Sequence, residues 1–251
     1  MVRAMLTIGC VLKTGGEFNW HQAAILRDSV ARNMPRAIPY KFRVLTNDPE
    51  ATDPVKLEYS LPGWWSKMEL FRPAVRESWG DTLYFDLDTA IVGYLGSIAT
   101  YCNVYPNFTI LRDFYRSNGY GSGMMFIPAK FIAPWAKFDV EIIPEYASAN
   151  LGDQQFLEQF PAQRWQDVCP RQIHSFKPAA FPGATLGAKP KDASVVCFHG
   201  KPRPWETKAN HWIRDYWKLS PVPDRRDPTE TYVQSFDQMM GTEGHNAADG
   251  I

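Results

Sequence analysis

The stretch that decides the fold is Asp81-Thr82-Leu83-Tyr84-Phe85-Asp86-Leu87-Asp88-Thr89-Ala90-Ile91-Val92. Its apolar run is typical of a buried strand, and two carboxylates follow at once. Because side chains two apart in an extended segment point the same way, we expect Asp86 and Asp88 to project together. Such like charges repel unless a cation lies between them, and their oxygens suit Mn²⁺ or Mg²⁺. The stretch predicts a divalent-metal site able to hold a diphosphate; the alternative is a solvated loop.

The composition of the chain limits the classes of protein and partner that we expect. The chain has 251 residues, of which 45% are hydrophobic and 22% charged, and this is typical of one globular domain with an ample core. Lys plus Arg and Asp plus Glu are 27 each, so charge gives no reason to expect a nucleic acid or an anionic membrane as partner. No apolar run approaches the roughly 18 residues of a membrane-spanning helix. The oligomeric state is not indicated.

The four cysteines carry no motif. Cys10, Cys102, Cys169 and Cys197 are far apart and lack the C-x-x-C spacing, which argues against a zinc knuckle or a disulfide framework. A reduced, cytoplasmic location is the simpler expectation.

The N-terminal third predicts an α/β fold. Residues 5–12 are a buried strand, Asn19 is a plausible N-cap for a helix ended by Pro35, and Tyr40–Thr46 alternate like a second strand. Strand, helix and strand in this order begin a right-handed parallel unit. Further strands are expected at 108–111 and 124–127, the second preceded by the glycine-rich residues 119–123.

Two predicted helices carry polar candidates. Gly63–Phe71 is predicted as a helix with Trp64, Met68 and Phe71 on its buried side, so that Lys67 is free either to reach the aspartates or to lie on the surface. Residues 152–160 form a second helix in which Phe156, Leu157 and Phe160 face inward. Asp153 at its start is either an N-cap or a sugar-binding carboxylate, and Gln154 offers an amide.

The last predicted strand, 194–198, is followed by His199-Gly200-Lys201-Pro202-Arg203-Pro204-Trp205. A glycine, two cations and a histidine at a strand exit predict a diphosphate clamp, with His199 as a possible metal ligand or merely a structural histidine. An amphipathic helix is expected around 212–217. We divide the chain into a catalytic domain, 1–220, and a linker, short helix and tail, 221–251.

In this order, the motifs resemble those of the glycogenin-like glycosyltransferases, a metal-dependent family with the GT-A fold. The matching segments are Ser66 to Phe71, Tyr84 to Thr89, Gly121 to Met125, Asp153-Gln154 and Phe198 to Trp205. The resemblance implies a single α/β domain with a Rossmann-like, mixed and mainly parallel sheet flanked by helices.

The resemblance also implies an activity. The donor would be a nucleotide-sugar, usually a UDP-sugar, and Mn²⁺ would be bound by Asp86, Asp88 and the histidine of the last motif. Asp153 and Gln154 would lie beside the anomeric carbon, and transfer would retain configuration. The residues around Leu12, Lys13 and Phe18 would hold the uracil. The expected donor contacts are Lys67, Leu87, Ser122, Gly200, Lys201 and Arg203.

The last motif departs from the family pattern. Cys197, not histidine, stands three residues before Gly200, and His199 directly precedes that glycine. Arg203 replaces the family's lysine; an arginine binds phosphate in a bidentate way.

Three functions therefore remain open: a glycosyltransferase, a sugar-phosphate nucleotidyltransferase, and a non-catalytic glycan-binding module on the same fold. Nucleotidyltransferases prefer a Gly-rich, basic loop after the first strand, of which Lys13-Thr14-Gly15-Gly16 is a faint version. The acceptor, whether carbohydrate, lipid-linked sugar or protein, is not readable from the sequence.

Overall fold

The computed structural model describes residues 5–177 and 185–220. Within them the strands are β1 (Leu6–Leu12), β2 (Tyr40–Thr46), β3 (Thr82–Phe85), β4 (Ala90–Ile91), β5 (Thr109–Arg112), β6 (Tyr120–Ile127), β7 (Gln163–Arg164), β8 (Ile173–Ser175) and β9 (Val195–Cys197). The α-helices are α1 (Trp20–Asn33), α2 (Pro73–Trp79), α3 (Gly96–Val104), α4 (Ala133–Lys137), α5 (Ile143–Ser148), α6 (Asp153–Leu157) and α7 (Trp165–Val168). Short 3-10 helices include Gly63–Phe71, Pro204–Glu206 and Trp212–Asp215.

The central sheet has six strands in the order β2-β1-β3-β6-β5-β7. β1 is parallel to both β2 and β3, whereas β6 is antiparallel to β3 and β5. The predicted strand, helix and strand at the N-terminus are confirmed: Asn19 caps α1 by accepting a hydrogen bond from the backbone of His21, and α1 connects two parallel strands. The strand predicted at 108–111 is confirmed to within one residue.

The fold also contains a second sheet of three strands, in the order β4-β9-β8. β4 pairs antiparallel with β9, and Ala90 lies opposite Val196. Because the two strands run in opposite directions, the residues that precede β4 meet those that follow β9. This pairing brings the Asp86–Asp88 segment to the His199–Arg203 segment.

Apolar residues cover both faces of the central sheet. One cluster joins β1 and β3 to α1 and α3, with Leu26, Leu83 and Ile98 fully buried. The other cluster packs the 3-10 helix, α2 and α6 against β3, β5 and β6. It includes Phe156, Leu157 and Phe160, whose inward orientation is thus confirmed.

The prediction for Gly63–Phe71 is wrong in its period. The segment is a 3-10 helix, with three residues per turn rather than 3.6, so the buried stripe is Trp65, Met68 and Phe71. Trp64, which was predicted to face the core, is 59% exposed.

Two other predictions are corrected. Of the glycine-rich residues 119–123, all but Gly119 lie inside β6 instead of forming a loop before it. The helix expected at 212–217 is only the 3-10 turn Trp212–Asp215, although Ile213 and Trp217 are buried against the small sheet as expected.

The fold class is confirmed: the chain is α/β, with a mixed, mainly parallel sheet flanked by helices. All four cysteines are unpaired and buried. In the ranges that the structure describes, no helix is long and apolar enough to cross a membrane. The linker, helix and tail predicted at 221–251 lie outside the described residues.

Candidate functional site

The site is built around Asp86, the first residue after β3. Its backbone N–H donates to the carbonyl of Gly123, 2.9 Å away on the neighbouring strand, which fixes where the side chain begins. The hydroxyl of Tyr84 donates to Oδ1 of Asp86 at 2.5 Å. Tyr84 and Asp86 are two apart in an extended segment, so their side chains share one face of the sheet.

Lys67 connects Asp86 to the opposite wall of the site. Its Nζ lies 2.8 Å from the Asp86 carboxylate, donates to Oγ of Ser122 at 3.2 Å, and lies 3.9 Å from Oδ2 of Asp153. The sequence left open whether Lys67 reaches the aspartates or lies on the surface; it reaches Asp86. Burial lowers the pKa of Lys67, but the carboxylates, Asp86 first, outweigh burial and hold that pKa above its ordinary value. The amine is therefore charged.

Asp153 begins α6 and is only 3% exposed. Burial raises the pKa of its carboxyl group above the ordinary value, against the opposing charge of Lys67. Its Oδ2 is buried and accepts no hydrogen bond from any described residue. A buried carboxylate oxygen without a hydrogen-bond donor is uncommon in folded proteins. Gln154, the next residue, is half-buried.

Asp88 is held by Arg203. The guanidinium of Arg203 donates to Oδ2 of Asp88 and, at 2.8 Å, to the carboxylate of Glu17 in the loop after β1. Burial first, and then the charge of Asp86, raises the pKa of Asp88 to about 7, while Arg203 opposes the rise. Leu87 and Asp88 lie in a turn that the backbone N–H of Thr89 closes by donating to the carbonyl of Asp86 at 2.9 Å. The extended geometry that the sequence predicted for the Asp86–Asp88 segment is therefore wrong.

His199 lies away from the aspartate pair. Its Nε2 lies 2.5 Å from Oγ of Ser175, its Nδ1 lies 3.3 Å from the hydroxyl of Tyr115, and Phe114 stacks on its ring. Burial, followed by the charge of Lys177, lowers the pKa of His199 to about 4, so the ring is neutral at pH 7. Both ring nitrogens thus already have partners.

The other residues predicted to contact the nucleotide-sugar are Gly200 and Lys201, in the same loop as His199, and Leu87, between Asp86 and Asp88. Nζ of Lys177 donates to the backbone carbonyls of His199 and Lys201, which ties this loop to β8. Lys201 is exposed and pairs with Glu206 at 2.8 Å, while Gly200 has a φ of 70°, a backbone conformation that favours glycine. Leu87 is buried in the core, so only its backbone is available to a ligand.

Of the three residues expected to contact the uracil, only one borders the site. Leu12 is fully buried, and Nζ of Lys13 donates to the backbone carbonyl of Leu61 at 2.5 Å. The ring of Phe18 lies under the Arg203 guanidinium at 5.1 Å. Phe18 therefore borders the site, whereas Lys13 is bound to a neighbouring loop.

The residues fit a divalent cation in part. Asp86 and Asp88 supply the hard oxygen ligands that Mn²⁺ and Mg²⁺ prefer, but each is already paired with a cation, Asp86 with Lys67 and Asp88 with Arg203. In the part of the chain that the structure describes, no group of three or more His, Cys, Asp or Glu side chains is arranged to hold a metal ion. Cys197, not His199, has its pKa raised by the charges of Asp88 and Asp86 after burial, so it lies nearer the pair.

Several residues of the site were missed by sequence reasoning. Tyr84 was recoverable, because strand alternation places it on the same face as Asp86. Glu17, Ser175, Tyr115 and Lys177 had no such signal, because each contacts the site from a loop or strand distant in sequence.

Comparison with known proteins gives a fold but no sequence family. No protein-family model and no curated protein sequence matches the chain. Among solved structures, it is similar to the apo form of the glycosyltransferase GlyE of Streptococcus pneumoniae, with a TM-score of 0.58 and 13% identity over 96% of this chain and 64% of that one.

Two further solved structures are similar. The galactosyltransferase LgtC in complex with donor and acceptor sugar analogues has a TM-score of 0.52 and 13% identity, over 91% of this chain and 99% of that one. The bifunctional glycosyltransferase WbbM has a TM-score of 0.57 and 12% identity, over 94% of this chain and 52% of that one. The chain thus spans less than two thirds of GlyE and about half of WbbM. It has the GT-A fold of these glycosyltransferases.

Proposed function

We propose that this protein is a glycosyltransferase that moves a sugar from a nucleotide-sugar to an acceptor hydroxyl group. The proposed donor is a UDP-sugar. The observation that carries the proposal is the contact series Asp86–Lys67–Asp153, which ends in a buried carboxylate oxygen with no donor among the described residues. A sugar hydroxyl group is a donor of the right kind for that oxygen.

The Asp86 end of this series would bind the diphosphate of the donor, together with Asp88 and the loop that carries Arg203. Asp86 and Asp88 would hold Mn²⁺ or Mg²⁺, which when bound offsets the charge of the donor's diphosphate. His199 would have to give up Ser175 or Tyr115 as a partner before either ring nitrogen could bind the same ion. Arg203 and Lys201 would contact the diphosphate directly, Arg203 with two N–H groups.

The chain's own residues would then support transfer. Asp153 would accept a hydrogen bond from the donor sugar and orient it, with Gln154 beside it. In the reaction, the acceptor oxygen bonds to the anomeric carbon as the bond to the diphosphate oxygen breaks, and the hydroxyl proton leaves with the diphosphate. Lys201 and Arg203 would offset the charge on the departing oxygen. Attack from the face that the diphosphate leaves would retain configuration.

A nucleotidyltransferase is the less favoured alternative. Its basic loop would need Lys13 to point at the phosphates, and this lysine donates instead to the carbonyl of Leu61. The deciding experiment is to incubate the protein with UDP-glucose or UDP-galactose, with and without Mn²⁺, and to identify the nucleotide released. UDP supports glycosyl transfer, whereas pyrophosphate formed from UTP and a sugar 1-phosphate supports the alternative.

A further inference from the structure

We propose that the indole of Trp64 is the platform on which the acceptor stacks, and that the acceptor is therefore a pyranose-containing carbohydrate. This inference rests on the proposed function and adds the acceptor to it.

The exposure of Trp64 is unusual for its surroundings. Its neighbour Trp65 is only 3% exposed and packs among Phe138, Tyr146 and Phe156, while Trp64 is 59% exposed. Among the described residues, the ring of Trp64 stacks on no other aromatic ring. Trp65 therefore anchors the segment, while the indole of Trp64 remains open to solvent.

The position of Trp64 on its helix places it on the same face as Lys67. In a 3-10 helix the side chains at positions i and i+3 eclipse one another, so Trp64 and Lys67 lie on one face. Lys67 on that face contacts Asp86, Ser122 and Asp153. The indole thus borders the cluster that we assign to the donor.

A second contact fixes the indole at the Asp153 end of the site. A Cβ added to Gly152 would lie 2.6 Å from Nε1 of Trp64, so the ring lies directly against the backbone of this glycine. Gly152 immediately precedes Asp153 in the chain. The contacts therefore run from Asp86 through Lys67 to Asp153, and from its neighbour Gly152 to Trp64.

This order separates the donor from the acceptor. The diphosphate would lie at Asp86 and Asp88, the donor sugar at Asp153, and the indole beyond it. A pyranose presents an apolar C–H face and a rim of hydroxyl groups, so it can stack on an indole while one hydroxyl group points at the donor sugar. An aromatic ring with an exposed face fits such an acceptor better than it fits a diphosphate.

The test uses the full chain, UDP-glucose or UDP-galactose with Mn²⁺, and methyl β-D-glucopyranoside or methyl β-D-galactopyranoside as acceptor probes. Release of UDP is measured without a probe, as donor hydrolysis, and with increasing probe. For Trp64→Leu we expect donor hydrolysis within about twofold of the unsubstituted protein and a KM for the probe raised about tenfold. Trp64→Phe should bring the KM to within about threefold of the unsubstituted protein's value. The control is Tyr105→Leu, at the exposed aromatic residue that follows α3, which should change neither donor hydrolysis nor the KM.

Three outcomes would overturn the inference. The KM for the probe could be unchanged in Trp64→Leu, or neither probe could stimulate UDP release. The third outcome is that Trp64→Leu loses donor hydrolysis in parallel, which would place the indole on the donor. If the unsubstituted protein does not turn over the donor, the proposed function fails separately. Saturation-transfer NMR of the same probes then decides the inference, which requires a signal that Trp64→Leu abolishes and Trp64→Phe retains; equal signals in all three proteins would contradict it.

Discussion

Nζ of Lys67 lies 2.8 Å from the carboxylate of Asp86, although one residue belongs to a 3-10 helix and the other follows a strand of the central sheet. The amine is almost fully enclosed and also faces Asp153. It is the cation that allows two carboxylates to share this buried region. Its loss would leave both acids without their compensating charge.

We predict that Lys67→Met lowers donor turnover at least about a hundredfold, because the group that holds Asp86 and Asp153 in place is removed. UDP release from UDP-glucose or UDP-galactose measures this. Lys41→Met, at an exposed position of β2, is the matched control and should leave turnover unchanged. Equal turnover in the two variants would remove Lys67 from the site.

Arg203 bridges Asp88 and Glu17, and only a forked side chain reaches both. We therefore expect Arg203→Lys to raise the KM for the donor about tenfold, and Arg203→Met to raise it further. Initial rates at varied donor concentration give these values. Arg36→Met, at an exposed position after α1, serves as control. A KM for the donor that is unchanged in Arg203→Lys would show that the two N–H groups of the guanidinium are not needed.

Gly9 in β1 has a packing role. A Cβ at this position would lie 2.5 Å from the ring of the buried Trp79, which must then shift. We expect Gly9→Ala to lower the free energy of unfolding by about 1–3 kcal/mol, as overpacking does in other cores. Gly187→Ala, where nothing lies within 4 Å of the added carbon, is the control. Thermal or urea unfolding that fails to separate the two variants would contradict this packing.

Glu69 should contribute a pH dependence to stability. Burial raises its pKa to about 7, although the backbone N–H of Tyr59 and the charge of Lys13 lower it. Between the ordinary pKa of 4.5 and about 7, the folded state binds a proton that the unfolded state has released, so this contribution to stability falls as pH rises through that window. It is complete below the unfolded pKa and lost above about 7.

Replacing this glutamate tests the assignment. Relative to the unsubstituted protein, Glu69→Gln should gain on the order of 2 kcal/mol between pH 5 and pH 8, because the amide cannot ionise. Unfolding followed at several pH values measures the difference. Glu77→Gln, at an exposed position of α2, should show no such gain. Parallel profiles for Glu69→Gln and the unsubstituted protein would disprove the raised pKa.

Local patterns predicted much of this fold. The alternation and caps of the first 46 residues were enough for β1, α1 and β2, and the exit of β3 into Asp86 was visible because an apolar run stops there. The face of Gly63–Phe71 was predicted wrongly because a 3-10 helix has a period of 3, which pairs Trp64 with Lys67 and not with Met68.

Contacts made at long range were beyond the sequence. Arg203 and Asp88 are 115 positions apart, and they meet because β4 and β9 pair antiparallel, a register that two- and three-residue strands do not reveal. The partners of His199 are a further example. Ser175 occupies its Nε2 through the parallel pairing of β8 with β9, which nothing local to the histidine indicates.

The identity of the nucleotide product tests the central claim most directly. With UDP-glucose or UDP-galactose and Mn²⁺, phosphorus NMR should show UDP accumulating with the unsubstituted protein, and Asp86→Asn or Asp88→Asn should abolish that accumulation. If UDP is not released, or if both variants release it as fast and with the same dependence on Mn²⁺, these two carboxylates do not hold the donor's diphosphate and the account is wrong.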